Sequence, residues 1–304
     1  MNLHRAECGW FTGLGERTGM AHLALTLMGP FEALLDGQVA TGFQSVKVRA
    51  LLAFLAVEMG RPHAREKLAG LLWPNVPDDC AHHSLNQALS SLRRAIHDDA
   101  AIPPFLIVSR QCVQFNRSSS YWLDVEAFEG LVGWRGDRLA GWEGNGSLNG
   151  ECAGQAVAMY RGSFLEGLSV VDSPAFEEWA LVQQERLHRL ALEAMQQLAE
   201  ACAVRGDVAQ ALYYARRQLE LDPWLEEAHV QVMHLLALAG RRSEALAQYS
   251  ICRQLLAREL AVEPAASTTR LFQLIRDGNT TDWWQPVSGR PYAPTPPQQP
   301  LHPV

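Results

Sequence analysis

Two acids, a cysteine and two histidines, Asp78, Asp79, Cys80, His82 and His83, crowd together, and the same run continues through Asn86, Gln87, Ser90, Arg93 and Arg94. The first group carries atoms that ligate zinc. The second carries amides, which match adenine edges bidentately, and guanidiniums, which match guanine or phosphate. On a helix, Asp79 and His83, or Asp78 and His82, lie four apart on one side, but Cys80 points about a third of a turn away. Two ligands do not make a zinc site, and the chain has neither H-E-x-x-H nor a C-x-x-C pair. The acids have a simpler use as helix N-cap (Asp78) and first-turn acid (Asp79), accepting otherwise unpaired N–H groups. No metal and no other cofactor is expected.

Helical spacing over 79–97 puts Ala81, Leu85, Ala88, Leu92 and Ile96 on one stripe, flanked by Leu89 and Ala95, and that stripe is core. The opposite face then holds His83, Asn86, Gln87, Ser90, Arg94 and His97, with Arg93 and His82 on its edge. It meets no acid before Asp98, and every side chain on it donates or accepts hydrogen bonds. Such a face suits a DNA groove, with Ser and His available to backbone oxygens. A solvated helix face that happens to lack acids is the alternative.

Positioning that helix requires the elements around it. The alternating runs LALTL (23–27) and FEALL (31–35), with a hairpin-type Asp36-Gly37, predict a small antiparallel sheet. KVRALLAFLAVEMG, apolar at 48, 51, 52, 55 and 59 and stopping at Gly60, predicts a first helix, and HAREKLAGLLW a second, ending before Trp73-Pro74. After the third helix, FLIVS and CVQFN read as a hairpin with Arg110-Gln111 at its tip.

At 304 residues, two domains with flexible ends are expected. Hydrophobic content is 48%, and no run approaches the roughly 20 apolar residues of a membrane span. The first twenty residues lack an export signal's apolar core, so the expected location is cytoplasmic, with no membrane partner. The six scattered cysteines read as reduced thiols. The net charge of −7 divides unevenly, with residues 21–117 at net +1 and 118–304 at net −8, which permits a DNA-contacting front and a protein-contacting back.

The second half looks helical. Gly133–Gly150, with six glycines, reads as a loop, and Pro174 to about Val204 as one long amphipathic helix. Beyond it, Ala203, Gly206, Ala211 and Leu212 recur as Ala237, Gly240, Ala245 and Leu246, thirty-four residues later, which is the tetratricopeptide period. The tail from Gly278 holds seven of the sixteen prolines and is expected to be disordered.

The strings LMGPFEALLDGQ, KVRALLAFLAV, REKLAGLLWP and LNQALSSLRRAI resemble the OmpR/PhoB-like winged helix of SARP-type (AfsR/DnrI-like) bacterial transcriptional regulators. DVEAFEGLV, YRGSFLEGL, FEEWALVQQERLHRLALEAM and the segment from Ala239 to Ile275 resemble that family's bacterial transcriptional activator domain. The resemblance implies an α+β N-terminal winged helix-turn-helix domain (22–117) followed by an all-α tetratricopeptide-like domain (118–277). It also implies a recognition helix at Ala81–Ile96 and a wing at Phe105–Asn116, with Arg110 reaching the adjacent backbone. The implied partners are double-stranded DNA, RNA polymerase and a second copy in a homodimer on DNA; the implied function is a non-enzymatic transcriptional activator. The chain departs from the family at His82, Asn86 and Ser91, where basic residues are frequent. That leaves open a helical scaffold whose winged helix has weak or lost DNA affinity. No G-x-x-x-x-G-K-[ST] and no G-x-S-x-G supports an NTPase or a serine hydrolase.

Overall fold

The computed structural model describes residues 21–132 and 150–278, together with Trp134–Arg135 and Arg138–Leu139. Residues 1–20, most of the stretch expected as a loop, and the proline-rich tail expected to be disordered lie outside the described residues. The described residues form two compact units, one of 21–130 with 159–187, the other of the described part of 131–158 with 188–278. By packing, the first unit runs past the expected division at 117/118, because the chain leaves it only after 130 and returns to it at 159.

In the first unit, β1 (Leu23–Thr26) pairs antiparallel with β2 (Glu32–Leu35), and β2 with β3 (Gln38–Val39). The turn between them has positive φ at Asp36 (50°) and Gly37 (78°), the combination a two-residue I′ hairpin needs. The first helix, α1 (Val46–Val57), buries Val48, Leu51, Leu52 and Leu55. It stops short of Gly60, and the His63 ring bonds the orphaned Glu58 carbonyl at 2.9 Å. The expected second helix begins two residues late, because His63–Ala64 form β4 and pair with Val113 and Cys112. Then come α2 (Arg65–Leu72) and α3 (Asp78–Ala95). The expected hairpin is β5 (Leu106–Val108) and β6 (Cys112–Phe115), with β6 central in a sheet ordered β4-β6-β5.

The first sheet is not purely antiparallel, as expected, but mixed. A short strand, β7 (Tyr121–Leu123), pairs parallel to β1, giving the order β3-β2-β1-β7. Asp124, at the start of α4 (Asp124–Leu131), secures the end of β1: Leu27 N–H and Met28 N–H both donate to its Oδ2 at 2.8 Å. Where the glycine-rich loop was expected, β8 (Trp134–Arg135) and β9 (Arg138–Leu139) pair antiparallel, followed by α5 (Gly150–Met159).

The returning segment bridges Met28 through Phe164 and Pro30 through Glu166. It leads into α6 (Pro174–Val204), the long helix the periodicity predicts. The Trp179 ring on its first half packs edge-on against Phe54 and Phe164, with centroids 4.9 and 5.7 Å away.

The second unit takes the rest of α6 with α7 (Val208–Leu221), α8 (Glu226–Leu238), α9 (Arg242–Leu255), a π-helical turn (Leu256–Leu260) and α10 (Ala266–Asp277). The repeat's glycines serve as helix stops: Gly206 and Gly240 have φ of 80° and 72°, where a side chain is strained. Asp207 N–H then donates to Cys202 O at 2.9 Å, and Arg241 N–H to Leu236 O at 2.8 Å. Ala211 and Ala245 are fully buried, so α7 and α9 pack closely into one core with Leu236, Leu271 and Ile275.

Candidate nucleic-acid interface

The third helix starts one residue earlier than its acids suggest. Ala81 N–H donates to Pro77 O at 2.9 Å, so Pro77 occupies the N-cap position and Asp78 and Asp79 both lie in the first turn. The expected N-cap at Asp78 is corrected accordingly; both acids still complement the dipole. Inward, α3 buries Ala81, Leu85, Ala88, Leu89, Leu92 and Ala95. Ser91 belongs with them, 2% exposed, so it cannot be one of three weakened DNA contacts; its neighbours His82 and Asn86 remain accessible.

Outward, His83, Asn86, Gln87, Ser90 and Arg94 are all exposed on one face. His83 and Gln87 hydrogen-bond to each other at 2.9 Å, and Arg94 Nε lies 3.4 Å from Ser90 O. His97 is exposed as well, but it follows the helix in a left-handed turn (φ 50°) rather than continuing its face. Arg93 is spent on the fold: its Nε donates to Asp98 Oδ2 at 2.9 Å and its Nη2 donates to Asp99. The bond to Asp98 holds the guanidinium's pKa above its ordinary value.

Arg110 is exposed at the wing tip, beside a turn that Ser109 organises. Ser109 Oγ accepts from Cys112 N–H at 2.9 Å and Gln111 N–H at 3.2 Å, while Ser109 N–H donates to Cys112 O at 2.9 Å. The tip is thus preset rather than loose.

Arg65, at the start of α2, joins the wing to the helix, and sequence reasoning missed it. One of its guanidinium nitrogens donates to Asn86 Oδ1 and another to Ser109 O at 3.1 Å; its backbone N–H donates to Gln111 O at 2.9 Å. A signal for it exists. A cation in the first turn opposes the helix dipole and is tolerated best where its side chain has another task.

The site therefore brings together Asn86, Gln87, Ser90 and Arg94 on α3 with Arg110 on the wing, through Arg65. Among the described residues no group of three or more His, Cys, Asp or Glu is placed to hold a metal ion. Cys80, Cys112, Cys202 and Cys252 are free thiols, and no described helix is long and apolar enough to cross a membrane.

Residues 123–276 match the model of the bacterial transcriptional activator domain. Over 260 residues the chain is 28% identical to the regulatory protein AfsR of Streptomyces coelicolor, covering 83% of this chain and 24% of that protein. It is 28% identical to the transcriptional regulator RedD of the same organism (75% and 63% covered) and 26% identical to the transcriptional regulatory protein EmbR of Mycobacterium tuberculosis (86% and 65% covered). The chain thus spans about a quarter of AfsR and just under two thirds of RedD and EmbR. The solved structure of Mycobacterium tuberculosis EmbR, in complex with a low-affinity phosphopeptide, shares the fold: TM-score 0.65 at 22% identity, over 85% of this chain and 66% of that one.

Proposed function

The chain belongs to the bacterial transcriptional activator domain family, and from that premise we propose that it is a DNA-binding transcriptional regulator, an activator, that lays α3 in the major groove. The observation that carries this reading is the exposed, acid-free face of Asn86, Gln87, Ser90 and Arg94 beside the preset wing-tip Arg110. Amides and guanidinium on α3 suit base edges, and Arg110 suits the adjacent phosphates. His83 and His97 lie at the ends of this surface, and Arg93 supports it through Asp98. The regulatory names of the relatives support the same reading. The protein binds double-stranded DNA as a homodimer in the cytoplasm, performs no catalysis, and offers its helical part to RNA polymerase.

A gel-shift titration on DNA upstream of its own coding region tests this. Affinity falls with salt, and Arg94→Ala and Arg110→Ala each reduce the salt slope by about one. Absent binding, or binding that neither salt nor Arg94→Ala combined with Arg110→Ala changes, would sink the reading. A second reading, a helical interaction scaffold with weak DNA affinity, draws on Arg93 and Asn86 being bonded to other side chains of the chain. Protein complexes free of nucleic acid, with no gel shift, would favour it.

A further inference from the structure

Beside β2 and β3 the first unit holds an open cleft of about 690 Å³, within the roughly 300–1,000 Å³ of small-molecule sites. None of the residues argued to face DNA lines it. Its apolar walls include Phe31 and Phe43, half-buried rings in edge-to-face contact with centroids 5.6 Å apart, together with Val39 and Ala40. Two cations line it as well, Arg49 from α1 and Arg161 from the segment that returns after α5, against one carboxylate, Glu32.

Neither arginine has a side-chain acceptor among the described residues. Arg49 Nε is buried with no hydrogen-bond partner among the described residues, and a buried donor without an acceptor is unfavourable. Arg161 lowers the pKa of Asp124 through its charge, but that carboxylate is satisfied by the N–H groups of Leu27, Met28 and Val125. Two guanidiniums and two aromatic rings thus line one cleft with a single carboxylate.

We propose that this cleft binds a small organic anion, its planar aromatic body against Phe31 and Phe43 and its carboxylate or phosphate on Arg49 and Arg161. An inorganic anion would leave the apolar walls wet, and a neutral ring would leave the net positive charge of the lining, two arginines against Glu32, without a counter-ion. A guanidinium donates to either head group in the same forked geometry, so the two are one chemistry here. Because Arg161 lies on the returning segment, Phe31 just before β2 and Val39 in β3, a bound anion ties that segment to the sheet and stabilises the first unit.

Calorimetric titration of the full chain with benzoate and with phenyl phosphate tests this, with inorganic phosphate and benzyl alcohol as comparisons. One saturable site is expected for an aromatic anion, at least roughly tenfold tighter than for either comparison compound, the equivalent of one charge-assisted bond. The stronger of the two aromatic anions identifies the head group. Arg49→Gln and Arg161→Gln each weaken binding by a similar factor, while Arg189→Gln on α6 does not. In unmodified protein labelled with ¹⁵N-arginine, the Arg49 Nε–H resonance shifts on saturation, a readout independent of how the variants fold. No saturable binding, equal binding by a comparison compound, an unmoved Arg49 Nε–H resonance, or displacement of the probe by duplex DNA would each overturn the proposal.

Discussion

Arg93 Nε donates to Asp98 Oδ2 at 2.9 Å, and the other oxygen of Asp98 accepts from the Leu106 N–H at 3.0 Å. The end of α3 is therefore bonded to the first wing strand through a carboxylate that is 1% exposed. Arg93→Ala leaves that carboxylate short of a donor, and stability is expected to fall by about 1–3 kcal/mol. The figure stays below the ~3–5 kcal/mol of a wholly buried pair because Arg93 is itself more than a third exposed. Arg94→Ala, with no such partner, changes stability by less than about 0.5 kcal/mol. Urea denaturation of the two variants checks this, and equal losses would contradict it.

Arg65→Ala removes the strut between Asn86 and Ser109. DNA affinity is expected to fall roughly tenfold, one charge-assisted bond's worth. Amide resonances should shift both in α3 around Asn86 and in the wing turn at Ser109–Cys112. Arg110→Ala, by contrast, should disturb the wing tip alone, so a local response to Arg65→Ala would deny it the linking role.

Asp124 holds the end of β1 with both its oxygens occupied by backbone donors: Leu27 and Met28 on Oδ2, Val125 on Oδ1. Asp124→Asn turns one acceptor into a donor facing an N–H, and stability is expected to drop by about 1–3 kcal/mol. Thermal denaturation at pH 7 measures it.

Acidification should act in opposite directions on the two units. In the second, burial depresses His234 from 6.5 to about 4. Its stabilising contribution is therefore complete above about pH 6.5 and lost as pH falls to about 4, by up to about 3 kcal/mol. In the first, burial raises Asp124 from 3.8 to about 6, so its contribution is present below about pH 3.8 and lost as pH rises through about 6. Hydrogen exchange at pH 7 and pH 5 should show α8 losing protection in a way that His234→Gln suppresses. Unchanged acid sensitivity in that variant would rule His234 out as the cause.

Trp179 belongs to the first unit's core, although the long helix that carries it was expected to lie wholly in the second domain. Its ring meets Phe54, Phe164 and Phe176, and its Nε1–H donates to Glu58 at 3.1 Å. Trp179→Ala should cost about 2–4 kcal/mol, somewhat less than a wholly buried ring. Leu181→Ala, two residues on and 56% exposed, should cost less than about 0.5 kcal/mol. Comparable losses from the two would contradict this placement.

By itself the sequence determined whatever depends on residues close together in the chain. The stripe from Ala81 to Ile96, the Asp36-Gly37 hairpin, the wing with Arg110 at its tip, the helix over Pro174–Val204 and the paired stops at Gly206 and Gly240 were all legible. Hydrophobic periodicity and positive-φ positions are local properties. The start of α3 escaped by one residue because a proline carbonyl, rather than an aspartate side chain, takes the first helical bond. Only the tertiary structure decided which distant residues meet. It paired β7 with β1, drew the first half of α6 onto Phe54, and set Arg65 between α3 and the wing turn. A three-residue strand has no period of its own, and a side chain's partner depends on where separate elements come to rest. The same physics brought Arg49 and Arg161, far apart in the chain, to one wall of the β2–β3 cleft.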